Sequence, residues 1–167
     1  MHFDPKPISP EGVPAALDKA HRYRLLNEPA DAESICLDVL AVDPDNQQAL
    51  ETLVLAITDQ FDREMGVGVR RAREVVPRLD DEYRRDYYAG IICERHAMAQ
   101  LRRGAPGAGE AAYGSFRDAM AWYEKAEALR PAGNDDAILR WNSCARALAR
   151  NPALAPSMAE AYEPSFD

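Results

Sequence analysis

Ala30-Asp31-Ala32-Glu33-Ser34-Ile35-Cys36-Leu37-Asp38-Val39-Leu40-Ala41-Val42-Asp43-Pro44-Asp45-Asn46 and Ala119-Met120-Ala121-Trp122-Tyr123-Glu124-Lys125-Ala126-Glu127-Ala128-Leu129-Arg130-Pro131 share one pattern. A small residue (Ala32, Ala119) is followed four residues on by a larger one (Cys36, Tyr123), three further by Val39 or Ala126, and five further by proline. Those offsets place the first three side chains on one stripe of a helix, where small residues permit close approach of a neighbour. The proline then ends the helix.

The same reading extends to both sides. Asn27-Glu28-Pro29, Asp43-Pro44-Asp45-Asn46, Pro77 and Pro131-Ala132-Gly133-Asn134-Asp135 break a chain otherwise rich in Ala, Leu, Glu and Arg, and no alternating β-branched runs with Asn-Gly or Asp-Gly turns occur. The spacing predicts seven helices, over about 12–26, 30–42, 46–60, 63–76, 80–103, 110–129 and 134–150. Gly104-Ala105-Pro106-Gly107-Ala108-Gly109 is the longest flexible link, because three glycines and a proline oppose helix. Residues 1–11 read as a proline-rich arm, 12–150 as one all-α domain, and 151–167 as a loosely packed tail.

The two quoted stretches resemble the second helix and turn of a tetratricopeptide repeat. First helices match more weakly: Ala20 with Tyr23, Leu53 and Val54 with Ile57, Ala89 and Gly90 with Cys93, and Trp141 with Cys144. In the second pair Gly66 and Gly68 stand where helix formers are expected, and Val69, Ala72, Val76 and Pro77 keep the pattern. In the third pair an insertion of more than a dozen residues around the glycine-rich link breaks a 34-residue period. The resemblance covers roughly residues 15–150 and implies a short right-handed stack of three helix pairs closed by a C-terminal capping helix. Elementary physics points the same way, since one helix pair has too little apolar surface to be stable alone. Tyr23, Leu40, Leu53, Ile57, Tyr88, Ile92, Trp122, Tyr123, Leu139 and Trp141 are the expected core. A buried Trp141 would cost about 3–5 kcal/mol on truncation.

In that family the first helix of each pair lines a groove that holds a peptide or helix of another protein. Carried onto the matching faces, the resemblance implies a groove presenting Leu17, His21 and Arg24, then Glu51 and Leu55, then Arg84, Tyr87, Ile91 and Arg95, and finally Ile138, Asn142 and Arg146. The arginines would clamp acidic side chains of an acidic and apolar peptide, with Tyr87 as anchor. The expected function is therefore a protein-interaction adaptor rather than an enzyme. The alternatives are self-association through exposed apolar residues, including Met158-Ala159-Glu160-Ala161-Tyr162, and a small enzyme built on Asp86, Glu94 and His96.

Composition narrows the other classes. Across 167 residues the formal charge is −8, which opposes binding of a phosphate backbone through a general basic surface. The charge is uneven: four cations face eleven carboxylates in residues 1–60, ten face eight in 61–103, and six face nine in 104–167. Cys36, Cys93 and Cys144 lie far apart and form no metal-ligand spacing, so neither metal nor other cofactor is expected. With no leader-like start and no long apolar run, the reading is a cytoplasmic protein with no membrane insertion, and the excess of Arg over Lys suits a GC-rich bacterial genome.

Five stretches carry a chemical reading beside a plainer one. Cys93 and His96 could offer two ligands on one helix face, but a buried thiol beside a boundary histidine is the plainer account. Gly66-Val67-Gly68-Val69-Arg70-Arg71-Ala72-Arg73 lacks the lysine of a phosphate loop and reads as a helix start with solvated arginines. Asp80-Asp81 and Asp135-Asp136 read as helix N-caps, and Arg84-Arg85-Asp86-Tyr87-Tyr88 as a structural or peptide-contacting run rather than a nucleic-acid platform.

Overall fold

Residues 3–156 are described by the computed structural model. They form α1 (Val13–Leu25), α2 (Pro29–Val42), α3 (Gln47–Thr58), α4 (Phe61–Val75), α5 (Glu82–Arg103), α6 (Ala108–Leu129) and α7 (Asp136–Arg150), with short 3-10 turns at Pro10–Gly12, Val76–Arg78 and Pro152–Leu154. All seven predicted helices are present, and no strand occurs among the described residues. The chain has no helix, among those residues, long and apolar enough to cross a membrane.

Helix ends follow the local chemistry. Asn46 caps α3 by accepting from Ala49 N–H at 2.9 Å, and Asp81 caps α5 by accepting from Tyr83 N–H at 3.0 Å. At α7 the cap departs from expectation: Asn134 Oδ1, not Asp135 or Asp136, takes the Asp136 N–H at 3.0 Å. Gly104 ends α5 in the left-handed region at φ 63°, and Gly107 enters α6 at φ 76°.

The helices pack in chain order as antiparallel pairs, each against the next, while α1 also touches α3 and α3 touches α5. Small residues set the close approaches. Ala20, Ala32, Ala119 and Ala126 are fully buried, and a Cβ at Gly90 would stand 2.5 Å from the Tyr123 ring. The α5–α6 pair therefore meets with bare backbone against an aromatic face.

Two expectations are corrected by the packing. The supposed insertion around the glycine-rich link is mostly helix: α5 and α6 each run 22 residues, joined by only 104–107. At 1.5 Å per residue they are about 33 Å long, against about 18–22 Å for α1 to α4. By contrast, Gly66–Arg73 does follow a helix start, since the regular part of α4 resumes just before it. Glu64 breaks the helix (φ −132°, ψ 42°), and buried Phe61 lies over Gly68, whose Cβ would be 3.0 Å from the ring. Finally, of the expected core residues, Leu139 is 63% exposed, and Tyr23, Trp122 and Trp141 are half-buried. Trp141 lies over α6 with its indole N–H donating to Glu124 at 3.0 Å, so the cost of a fully buried Trp does not apply to it. The other six, Leu40, Leu53, Ile57, Tyr88, Ile92 and Tyr123, are buried.

α7 exposes Ser143, Arg146 and Arg150 while burying Ala137 and Cys144. Beyond it, the turn at Pro152–Leu154 folds back on α6, with Leu154 standing 3.3 Å from where a Gly109 Cβ would be. Packing thus continues to Leu154. The stretch Met158–Tyr162 lies outside the described residues.

Candidate partner-binding face

The odd-numbered helices bring four of the predicted groove residues, Arg24, Glu51, Arg84 and Arg95, into ion pairs that use their charges internally. On α1, Arg24 Nε donates to Asp59 Oδ2 at 2.8 Å; on α5, Arg95 pairs with the other Asp59 oxygen and donates to Thr58 Oγ1 at 3.0 Å. Asp59 follows α3 directly, so one carboxylate ties three odd helices together. A second rung joins Arg84 of α5 to Glu51 of α3 at 3.1 Å, where the Tyr88 hydroxyl also donates at 3.1 Å. The third joins α5 to α7: Glu94, only 8% exposed, accepts from the Tyr123 hydroxyl at 2.6 Å and lies 3.4 Å from Arg140.

Burial, then Glu94, raises the Tyr123 phenol far above its ordinary range, and burial, then Glu51, does the same to Tyr88. Both hydroxyls stay protonated and serve as fixed donors to carboxylates. Burial opposes the charge on Arg140, but Glu94 and Tyr87 outweigh it and hold that guanidinium above its usual value.

These pairs also explain the uneven charge along the chain. Glu33, Glu51 and Asp59 of the acidic first third meet Arg71, Arg84 and Arg95 of the basic middle third. The arginines after Gly68 are thus not all solvated, since Arg71 reaches back to Glu33 on α2.

The predicted groove residues divide accordingly. Arg24, Glu51, Arg84 and Arg95 are brought together but are engaged with one another's neighbours, so the expected clamp on an acidic ligand has no free guanidinium there. Tyr87 is half-buried in an aromatic cluster, stacked on Tyr83 at 5.9 Å and edge-on to Tyr88 at 5.3 Å. Ile91 and Leu17 are core residues, not groove residues. The reason at Ile91 is that α5 is covered by α3, α4 and α6 and touched by α7, so buried positions run almost around it. Leu55, Ile138 and Asn142 are half-buried, and His21 and Arg146 are exposed.

A cleft of about 320 Å³ lies between α5, α6 and α7, with Phe116 and Glu94 inside and Met98, Ser143, Arg146 and Arg150 around them. Sequence reasoning missed Met98 and Arg150. Their signal was weak, since an exposed Met and a helix-end Arg are common on any surface.

Glu94 is held by Tyr123 and Arg140, while burial, opposed by Lys125, raises the Asp86 carboxyl. Burial, then Arg73, lowers His96, which favours its neutral form. The three cysteines are free and buried; burial lifts Cys36 to about 11 and Cys144 to about 12, and raises Cys93. Among the described residues no group of three or more His, Cys, Asp or Glu is placed to hold a metal. Of Arg84–Tyr88, Arg84 and Tyr88 both reach Glu51 and Arg85 donates to Leu79 carbonyl at 2.7 Å, a structural use of the run.

Replacing Asp59 with asparagine tests the three-helix tie. Its side chain and that of Arg95 are each 23% exposed, between the surface and buried limits. The expected loss is about 1–2 kcal/mol in urea unfolding, above the 0–1 of exposed pairs and below the 3–5 of buried ones. Asp62→Asn, which removes the half-exposed Arg102 pair at 2.8 Å, is the control and should change stability by no more than about 0.5 kcal/mol. Equal effects would mean the tie carries no structural weight.

The described residues thus form an all-α fold of seven helices packed sequentially in antiparallel pairs. No protein-family model, curated protein or solved structure matches the chain.

Proposed function

We propose that the protein is a partner-binding scaffold of tetratricopeptide-like helix pairs, closed by α7 as a cap, that holds a peptide or helix of another protein along its odd-numbered helices. The observation that carries this reading is the chain of inter-helix ion pairs from Arg24 through Asp59 to Arg95, with Glu51 to Arg84 and Glu94 to Arg140 beside it. Such pairs hold α1, α3, α5 and α7 as one preorganised surface, which lowers the ordering cost of binding. Support for the repeat reading comes from the buried small residues Ala20, Ala32, Gly90, Ala119 and Ala126 at the points of close approach.

Because Arg24, Arg84 and Arg95 are satisfied internally, recognition falls to the half-buried and exposed groups: His21, Leu55, Tyr87, Asn142 and Arg146. Charge reversal at Arg84 or Arg95 would unravel the face rather than probe it.

The test compares two folded variants as bait in an extract of the native cells. One carries His21→Glu, Asn142→Glu and Arg146→Glu on the odd helices; the other carries Leu37→Asp and Val67→Asp on α2 and α4, where both side chains are exposed. A partner retained by wild type and the even-helix variant but reduced at least tenfold by the odd-helix variant is the expected result. Loss only with the even-helix variant, or equal retention by both, overturns the assignment.

A further inference from the structure

The cleft between α5, α6 and α7 differs from the rest of the odd-helix face in having free cations. Arg146 and Arg150, one turn apart on α7, have no ion pair among the described residues, whereas Arg24, Arg84, Arg95 and Arg140 each have one. The one carboxylate inside, Glu94, is occupied by Tyr123 and Arg140. Apolar surface lies beside the cations: Met98 is 39% exposed, Ala147 is half-buried, and the buried Phe116 ring lies beneath. The site therefore suits an acidic segment with an apolar or aromatic anchor.

Such a segment follows directly in the chain. Residues 157–167, Ser-Met-Ala-Glu-Ala-Tyr-Glu-Pro-Ser-Phe-Asp, hold three carboxylates and no Lys or Arg, with Tyr162 set between Glu160 and Glu163. The described chain stops at Pro156, six residues after Arg150 lines the cleft, and Leu154 is already folded against Gly109 of α6. Eleven residues span up to about 36–40 Å when extended. The cleft wall from Arg150 back to Ser143 is about 10 Å long at helical rise.

We propose that residues 157–167 dock in this cleft of their own chain, Tyr162 seating against Met98 and Ala147 while Glu160 and Glu163 meet Arg146 and Arg150. Sulfur against an aromatic ring and carboxylates against a pair of guanidiniums are the two contacts that give it specificity. Docking stands independently of the partner reading.

The test uses the full chain labelled with ¹³C-methyl methionine, in which Met98 reports the cleft while Met65 and Met120 report the fold. In wild type the Met98 methyl resonance is expected to be displaced by the Tyr162 ring current. It should return to the position of an unshielded methyl in Tyr162→Ala and in Arg146→Glu/Arg150→Glu, with Met65 and Met120 unchanged. The displacement should also be independent of protein concentration. An identical Met98 resonance in wild type and Tyr162→Ala overturns the proposal. So does a displacement that grows with concentration, which would assign the occupant to a second copy, independently of the outcome of the partner capture.

Discussion

Replacing Tyr123 with alanine is expected to lower the free energy of unfolding by about 3–5 kcal/mol, the largest effect of any single change considered for this protein. The ring is wholly buried against Gly90, near Tyr87 at 6.0 Å, and its hydroxyl is the short donor to Glu94. Truncation removes the ring from the α5–α6 contact and leaves a carboxylate that is 8% exposed with Arg140 alone. Single domains are stable by only about 5–15 kcal/mol in total, so the variant should be close to unfolding at room temperature. Tyr123→Phe separates the two contributions. It keeps the ring and removes the donor, and should lose about 1.5–3 kcal/mol, as for a hydrogen bond to a charged group. Urea unfolding reads both. A loss below about 1 kcal/mol for Tyr123→Ala would place the ring outside the core, and a Phe variant as stable as wild type would deny the Glu94 contact any role.

Adding carbon at Gly90 is the second large effect. In a helix interior Gly→Ala is ordinarily favourable by about 1 kcal/mol. At Gly90 the new Cβ would lie 2.5 Å from Tyr123 Cε1 and 2.7 Å from Cδ1, closer than two carbons can approach, and the fully buried ring has no room to swing away. Overpacking of this kind costs about 1–3 kcal/mol, so Gly90→Ala should be net destabilising and Gly90→Val should reach the upper end. Gly114, exposed in α6 with nothing within 4 Å of its missing Cβ, is the matched control. Gly114→Ala should stabilise by about 0.5–1 kcal/mol. In a Tyr123→Ala background the penalty at Gly90 should disappear, since the two positions interact by direct contact. If Gly90→Ala and Gly114→Ala behave alike, α5 and α6 do not meet at this close approach.

Much of this contact was legible beforehand. Ala119, Tyr123 and Ala126 on one stripe announce a packed face, and Gly90 marks a place where a neighbour comes close. What could not be read was the polar half of it. In the sequence Glu94 reads only as one of a dispersed polar set with Asp86 and His96, and only the arrival of Tyr123 from α6 and Arg140 from α7 makes it a buried acceptor.

The groove residues show the same division more sharply. Offsets of three and four put Arg84, Tyr87, Ile91 and Arg95 on one side of α5, and Arg84 and Arg95 do face the odd helices. Each residue turns a helix by 100°, however, so a modest rotation of α5 moves Ile91 from a groove wall into the core. Whether the arginines were free clamps or internal ties depended on partners about 33–36 positions away in the chain, Glu51 and Asp59, which no local pattern names.

The number of helices, their breaks and the small-residue stripes were determined by the sequence alone, because helix periodicity, caps and prolines act within a few residues of themselves. The tertiary structure alone decided that the middle-third arginines neutralise the acidic first third, that Phe61 covers Gly68 within α4, that Leu139 and part of Trp141 face solvent, and that Arg146 and Arg150 remain unpaired among the described residues. Those outcomes follow from the rotation and register of one helix against another, which are set by the whole of the packing and by no single stretch of chain.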